Sequence, residues 1–269
     1  MYGLIISFKK YDFVKGIMKS EWVGLKYFIQ FFKNPYFTRV LFNTLNISVS
    51  SLIWSFPAPI IFALLLNEVR GTYFKKVVQT ATYLPHFISL VIIVGLMKQL
   101  VSPTTGVINK IITMCGGDAI NFFMEKKWFV PLYIISEIWC NFGWGAIVYI
   151  AAIAGINQEL YEAATVDGAG RFKKVWHITI PGILPTVIIM LILKLGGMLA
   201  VGYEKILLMY NESTYETADV ISTYVYRNGI QQFNYSYGTA VGLMNAIVDV
   251  ILIVAANYIS NKVADTGLW

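Results

Sequence analysis

Five apolar segments, each long enough to cross a lipid bilayer, constrain the fold of this 269-residue chain more than any other feature. They cover residues 40–66, 79–100, 128–155, 183–201 and 237–260. About 20 mainly apolar residues make one crossing, because no water is available inside the bilayer and a helix pairs its own backbone groups. One such segment could be a buried helix of a soluble protein. Five of them in a chain with 57% hydrophobic and 13% charged residues predict an all-α polytopic membrane protein.

Prolines and chain ends modify this pattern. Pro57 and Pro59 predict a kink in the first crossing, and Pro85 lies near the start of the second. Residues 1–8 are apolar but far too short to cross, and they lack the cationic flank of a signal peptide. We find no linker, low-complexity tract or long repeat, so residues 1–269 are predicted to form one domain.

Residues 157–182 form a polar segment between the third and fourth crossings. Asn157 is a good N-cap for a short helix, in which Ala163 and Ala164 give a small, flat face. Gly168 and Gly170 predict a sharp turn, since glycine accepts positive φ.

A second short helix is predicted after the turn, followed by the next crossing. Its apolar stripe consists of Phe172, Val175 and Trp176, and Pro181 and Pro185 begin the crossing. The segment therefore predicts a helix–turn–helix hairpin on the membrane surface. Its charged residues facing water are Glu162, Asp167, Arg171, Lys173 and Lys174.

The spacing in this hairpin is that of a known motif: EAA, three residues, Gly, nine residues, then Ile-x-Ile-Pro. It resembles the cytoplasmic EAA loop of bacterial ABC-importer permeases. The resemblance implies that the loop docks into a cleft of a separate ATPase and couples its movement to the membrane helices. The implied coupling residues are Glu162, Ala163, Ala164, Asp167 and Gly168.

A second resemblance covers most of the remaining chain. Residues 201–211 (VGYEKILLMYN), 215–227 (YETADVISTYVYR) and 233–260 are similar to the LplB-type branch of the carbohydrate-uptake permeases of the MalF/MalG kind. It implies transport of complex oligosaccharides and an external, partly apolar helix at 218–227 where a binding protein delivers substrate. It also implies the type I importer fold, with five full transmembrane helices and residues 1–8 as the stump of a truncated first one.

The resemblance also implies partners and a location. We expect a second, homologous permease subunit, two ABC ATPase subunits and an extracellular solute-binding protein, assembled in the bacterial inner membrane. ATP and Mg would be bound by the ATPase, because this chain contains no G-x-x-x-x-G-K-[ST] phosphate loop. We expect no catalytic residue, metal or cofactor here, since His86 and His177 are far apart and the two cysteines lack metal-type spacing.

The cations do not give a clear orientation. Seven of the 21 lysines and arginines lie in residues 9–39, which the resemblance places outside, whereas 67–78 and 157–182 hold three each. The positive-inside rule therefore disagrees with the EAA loop, and we follow the loop. No basic stripe is interleaved with aromatic residues, so nucleic acid is not an expected partner.

Polar residues inside the crossings are candidates for the substrate path, because ionisable groups there are costly. Lys194 could pair with Asp249 or Glu137 to hold helices together, or these three could line a wet path for sugar. Amides bind hydroxyl groups, and indoles offer flat apolar surfaces. The full candidate set is Asn46, Glu137, Trp139, Asn141, Trp144, Lys194, Asn245 and Asp249.

Small residues repeat every four positions in two crossings. Gly238, Gly242 and Ala246 form one row, and Gly196 and Ala200 form another. Such rows allow close helix packing, either inside the subunit or at an interface with a partner.

Two other functions remain open. One is an ABC permease for another solute, such as a peptide or glycerol phosphate. The other is a secondary transporter working alone, which would typically show internal repeats.

Overall fold

The computed structural model describes residues 2–264 and 266–268, most of which are helical. Four helical runs are long and apolar enough to cross a membrane: Phe37–Glu68, Lys126–Ala154, Arg171–Leu195 and Tyr235–Lys262. The predicted crossings at 40–66, 128–155 and 237–260 are therefore confirmed to within a few residues.

The elements follow one another along the chain with short connections. The α-helices are α1 (Gly16–Lys19), α2 (Lys26–Phe32), α3 (Phe37–Ser50), α4 (Pro57–Glu68), α5 (Thr72–Tyr83), α6 (Leu90–Leu100), α7 (Val107–Met114), α8 (Phe129–Ala154), α9 (Gln158–Val166), α10 (Arg171–Lys174), α11 (Ile180–Leu195), α12 (Tyr203–Met209), α13 (Tyr215–Ala218), α14 (Ile221–Val225) and α15 (Tyr235–Ala264). Tighter 3₁₀ turns cover Tyr2–Phe8, Leu84–Phe87, Lys126–Trp128 and Glu212–Thr214, and wider π turns cover Ser51–Ser55, Val175–Thr179 and Tyr226–Gln231.

The chain is mostly helical, as predicted, and a small sheet of two-residue strands is a minor departure. Strands β1 (Lys9–Lys10) and β2 (Glu21–Trp22) pair antiparallel, with Lys9 opposite Trp22.

The predicted crossing at 79–100 is wrong as a continuous helix. Helix α5 ends in the 3₁₀ turn Leu84–Phe87, Ile88 is extended, and α6 begins at Leu90. Pro85 lies in that turn, where it has no N–H to donate and its ring crowds the preceding turn. The two helices count together as one broken span or a re-entrant loop.

Two other prolines leave their helices continuous. Phe56 N–H donates to the Ser51 carbonyl at 3.1 Å, just before Pro57, and Ile180 N–H donates to the Val175 carbonyl, just before Pro181. A π turn adds one residue to the hydrogen-bonded turn of the backbone. The helix can therefore continue although proline lacks an N–H.

The fourth crossing therefore has other limits than predicted. The helical run begins at Arg171 instead of 183, and it ends at Leu195 before two consecutive glycines. Glycine is about 1 kcal/mol less favourable in a helix than alanine, which explains the early end. Gly196 and Ala200 consequently do not line a helix face, and this part of the prediction is wrong.

The chain divides into two compact units. The first consists of Met1–Val49, Leu90–Tyr133 and Gly196–Leu252, and the second of Ser50–Ser89, Ile134–Leu195 and Ile253–Trp269. The core of the first unit is formed by Tyr27, Phe31, Val40, Ile221, Tyr224, Tyr237, Ala240 and Val241. The core of the second is formed by Ala63, Ala146, Tyr149, Ile153 and Ile183. That the chain is one domain stays a prediction.

The helix expected at 218–227 begins three residues later than predicted, and its external location stays a prediction. Helix α13 ends at Ala218, Asp219 and Val220 are extended, and Ile221 of α14 is fully buried in the first unit. The interruption before α14 places the Asp219 carboxylate beside Arg39 and Arg227.

Within the first unit, Gly238 packs against backbone. A Cβ on Gly238 would lie 3.0 Å from the Gly229 Cα, whereas one on Gly242 would meet nothing within 4 Å. In the row of small residues on α15, Gly238 therefore packs inside the chain, whereas the helix face at Gly242 is open.

Candidate functional site

Helix α8 approaches two other helices of the second unit through two glycines. A Cβ on Gly143 would lie 2.3 Å from the Thr82 carbonyl oxygen of α5, and one on Gly145 would lie 3.2 Å from the Pro59 Cβ of α4. Real Cβ atoms do not approach backbone this closely at Gly143, so only glycine fits there. This close packing brings the polar residues of α8 next to those of the neighbouring helices.

An ion pair joins α8 to α11. Lys194 Nζ lies 3.2 Å from Glu137 Oε1, and the lysine side chain is 41% exposed whereas that of Glu137 is 18% exposed. Ser51 and Ser55 donate to the two oxygens of the Glu137 carboxylate at 2.9 and 3.0 Å. The carboxylate is thus fixed by two hydroxyls as well as by the ammonium.

An aromatic group lies beside the same helix. The His86 ring stacks on Trp144, with centroids 4.8 Å apart and planes 5° apart. His86 Nδ1 lies 3.2 Å from Asn141 Oδ1, and Asn141 Nδ2 donates to the Glu137 carbonyl.

A cavity of about 390 Å³ lies beside the ion pair of Glu137 and Lys194. It is lined by Glu137, Asn141 and Lys194 among the predicted path residues, together with Ser55, Tyr149 and Phe142. Trp139 is outside this lining and 40% exposed, and Trp144 is linked to Asn141 through His86. Such volumes are typical of small-molecule sites, and polar groups among apolar walls can bind hydroxyls and carboxylates.

The remaining three candidates lie in the first unit. Asn46 is exposed on α3, and Asn245 has a buried Oδ1 without a hydrogen-bond partner among the described residues. Asp249 accepts a hydrogen bond from Leu199 N–H at 3.1 Å. The role of all eight residues in a substrate path stays a prediction.

The loop at 157–182 has the predicted cap and turn. The Asn157 side chain accepts from Glu159 N–H at 3.0 Å, and Gly168 has φ +74°. Gly170, in contrast, has φ −69° and is extended, so the prediction of positive φ there is wrong. The second helix of the expected hairpin is the beginning of the run Arg171–Leu195, which makes it a rigid extension of the crossing.

Two hydrogen bonds hold α9 against that extension. Tyr161 and Thr179 share a hydroxyl–hydroxyl bond at 2.9 Å, and Lys174 Nζ donates to Thr165 Oγ1 at 2.7 Å. Two large apolar side chains are exposed on the outer surface among charged ones, with Val166 88% and Phe172 93% exposed. Exposed apolar side chains on a braced loop are typical of a protein-binding surface.

The sequence did not single out His86, Ser51 or Ser55. The serines are four residues apart, which places them on one face of a helix, but this spacing does not connect them to Glu137. No local signal joins His86 to Asn141, because the two are 55 residues apart.

Comparison with known proteins gives matches along the chain. A family model described as "Binding-protein-dependent transport system inner membrane component" matches residues 55–265. Protein LplB of Bacillus subtilis (strain 168) is 48% identical over 269 residues, which is 100% of this chain and 85% of LplB. The polygalacturonan/rhamnogalacturonan transport system permease protein YteP of the same organism is 46% identical, covering 100% of this chain and 84% of YteP.

A solved structure is also similar. A crystal structure of a bacterial alginate ABC transporter, in complex with a periplasmic protein bound to an alginate pentasaccharide, contains a chain that matches with TM-score 0.91 and 44% identity. The match covers 99% of this chain and 88% of that one.

Proposed function

This chain belongs to the family of binding-protein-dependent transport system inner membrane components, and from this membership we propose that it is the permease subunit of an ATP-driven importer for oligosaccharides. The family consists of inner membrane components, so the chain is a membrane protein. One observation carries the proposal furthest: polar side chains from three membrane-crossing helices line one cavity of the second unit. Ser55, Glu137 and Lys194 come from these three runs. Ionisable side chains are costly inside a membrane, so Glu137 and Lys194 are candidates for a functional site.

We further propose that the substrate is an acidic oligosaccharide. Two similar proteins carry names that refer to polygalacturonan/rhamnogalacturonan and to alginate, which is called an acidic polysaccharide. In this chain, Lys194 is the more exposed partner of its ion pair, and Glu137 keeps two hydroxyl donors without it. The ammonium can therefore turn toward a sugar carboxylate while the two hydroxyls continue to bind Glu137.

Lys194→Gln is expected to lower uptake of labelled oligogalacturonides roughly tenfold or more, the effect of losing a hydrogen bond to a charged group. Neutral oligosaccharides of the same length should be affected less. Asn141→Leu should lower uptake of both, because it removes a neutral donor and acceptor. The measurement is uptake into proteoliposomes that contain the importer complex.

The double variant Glu137→Gln/Lys194→Gln is the control for an unpaired carboxylate, since it removes both charges. It should still disfavour the acidic sugar. If Lys194→Gln lowered the uptake of acidic and neutral sugars by the same factor relative to the parent, or lowered neither, the proposal of an acidic substrate would be contradicted. Uptake of peptides or glycerol phosphate in place of any sugar would contradict the oligosaccharide assignment.

The finer topology and the assembly are also proposals. We propose five crossings, with the broken pair of α5 and α6 as one, and a cytoplasmic location for residues 157–182. A second homologous permease, two ATPases that bind ATP and Mg, and an extracellular binding protein complete the importer. Two hydrogen bonds hold the loop at 157–182 against the next crossing, and Val166 and Phe172 are exposed on it. Both features support the proposal that this loop contacts the ATPase. The proposed interface residues are Glu162, Ala163, Ala164, Asp167 and Gly168.

The chain is expected to be unstable without its partner permease. The face of α15 at Gly242 is open, and small residues on a crossing let a second helix approach closely. Expressed alone and extracted in detergent, the chain should aggregate or be degraded, as size-exclusion chromatography would show. A monodisperse monomer that transports sugar by itself would contradict this prediction and favour a stand-alone transporter.

A further inference from the structure

The second unit contains another cavity, of about 360 Å³, at the ends of its membrane-crossing helices. Glu68 ends one crossing, Ala154 ends the next, and Arg171 begins the third, and all three residues line this cavity. Because the crossings that end at Glu68 and Ala154 leave the hydrocarbon region here, the cavity lies beside the headgroups of the leaflet next to the loop at 157–182.

Positive charge exceeds negative charge in the lining. Lys75, Arg171 and Lys174 contribute three cations, and Glu68 contributes the one carboxylate. In the part of the chain that the structure describes, none of these three cations has an ion-pair partner within 4.0 Å. Lys174 donates to a neutral hydroxyl, that of Thr165.

The rest of the lining combines apolar and polar side chains. Ile150 and Ile153, from the last turns of α8, are apolar, and Tyr161 and Gln158 are polar. Arg171 also begins a helical run, and the positive end of a helix dipole favours an anion. A ligand that matches this cavity has an anionic group next to a hydrocarbon chain.

We propose that this cavity binds the phosphate of an anionic phospholipid. The three cations hold the phosphate, and the isoleucines contact the beginning of an acyl chain. Basic pockets between membrane helices bind lipid headgroups through the same combination of charge and apolar surface. A bound lipid would connect α9 and α10 to the ends of α4 and α8, and so stabilise the base of the loop at 157–182.

The test uses the full-length chain purified in detergent with the subunits that accompany it, and the midpoint of thermal unfolding as the readout. Titration with short-chain phosphatidylglycerol should raise this midpoint with a saturating dose dependence, which gives an apparent affinity. Phosphatidylcholine, which carries no net charge, should have much less effect. Because the readout is stability, its result does not depend on whether the chain transports sugar.

The variant Lys75→Gln/Arg171→Gln should bind phosphatidylglycerol roughly 25-fold more weakly, at about fivefold for each cation. The matched control is Lys76→Gln/Lys173→Gln. It removes the same charge from exposed neighbouring positions that do not line the cavity, and it should respond to the lipid as the parent does.

An equal loss in both double variants would attribute the effect to general surface charge and would overturn the proposal. A midpoint shift of the same size with inorganic phosphate alone would assign the site to a free anion and overturn the lipid assignment. Loss of the ATPase from the complex with an unchanged lipid response would place the cavity in a protein interface, which also contradicts the proposal.

Discussion

Gly168→Asp is expected to abolish transport while the chain still inserts into the membrane. Gly168 has φ +74°, and a Cβ built on it meets nothing within 4 Å in this chain. Aspartate tolerates positive φ better than most residues, so the turn itself should survive. The new carboxylate then projects outward, next to the negative end of α9, where it crowds and repels a docked partner.

Two further variants separate the causes of this loss. Gly168→Asn has nearly the same shape without the charge, and it should retain partial uptake if charge carries most of the effect. Gly170→Ala is the matched control, because Gly170 has an ordinary φ of −69° and open space around it. Its uptake should equal that of the parent.

Glu162→Lys should have a similarly large effect through the same surface. Glu162 is exposed on α9 and forms no ion pair with any described residue, so reversing its charge breaks nothing inside the chain. An ion pair shielded in an interface is worth more than the 0–1 kcal/mol typical of exposed pairs.

The measurement for both positions is pull-down of the ATPase beside uptake of labelled sugar into membrane vesicles. We expect Gly168→Asp and Glu162→Lys to lose both, with normal amounts of the chain in the membrane fraction. Full uptake in both variants would show that this loop does not couple the ATPase to transport.

The features that the sequence predicted correctly depend on local physics. Apolar runs of sufficient length specify helices wherever they lie, so three crossings have nearly the predicted limits. The cap at Asn157 and the positive φ of Gly168 follow from side-chain and backbone preferences of single residues. Both were confirmed without any knowledge of distant contacts.

The effects of the prolines could not be predicted in the same way. Pro57, Pro85 and Pro181 each remove one backbone donor, yet two are accommodated by π turns and one ends its helix. The difference depends on whether the surrounding helix can take in an extra residue, which is a property of the packing. A sequence pattern shows only that some adjustment is necessary.

The site was predicted only in part for a related reason. Glu137, Asn141 and Lys194 were found because polar residues are rare in apolar runs. Ser51 interacts with Glu137 across 86 residues, and serine is ordinary in a helix, so the long-range contact that gives it meaning had no local signal.

The burial of the Asp219 carboxylate likewise could not be predicted from the sequence, because its partners are distant or lie in the next helix. Arg227 binds it through both guanidinium nitrogens at 2.6 and 2.8 Å, and Arg39 lies 3.4 Å away. The Asp219 carboxylate raises the pKa of Arg227 above its usual value through this hydrogen bond. In addition, Asn43 of α3 donates to the Asp219 carbonyl at 2.9 Å, which ties two parts of the first unit together.

Asp219→Asn is therefore expected to destabilise the protein strongly. The change keeps the shape of the side chain but leaves two guanidinium groups without their carboxylate in a position where Asp219 is 0% exposed. Breaking a buried ion pair from one side costs about 3–5 kcal/mol, and the lower end applies here because Arg227 and Arg39 are 24% and 34% exposed. The midpoint of thermal unfolding should fall by roughly 10 °C, with a lower yield of assembled complex.

Glu216→Gln is the matched control, because Glu216 forms an ion pair with Lys126 in the same segment but is largely exposed. Lys126 lowers the pKa of Glu216, and water screens the pair, so its loss should change the unfolding midpoint little. The double variant Asp219→Asn/Arg227→Gln should recover part of the lost stability, since it removes the better buried of the two unpaired cations. Two results would contradict this prediction: equal unfolding temperatures for Asp219→Asn and Glu216→Gln, or no recovery of stability in the double variant. Either would show that the ion pairs of Asp219 do not hold this segment in place. The fold of residues 215–227 would then depend on the apolar burial of Ile221 and Tyr224.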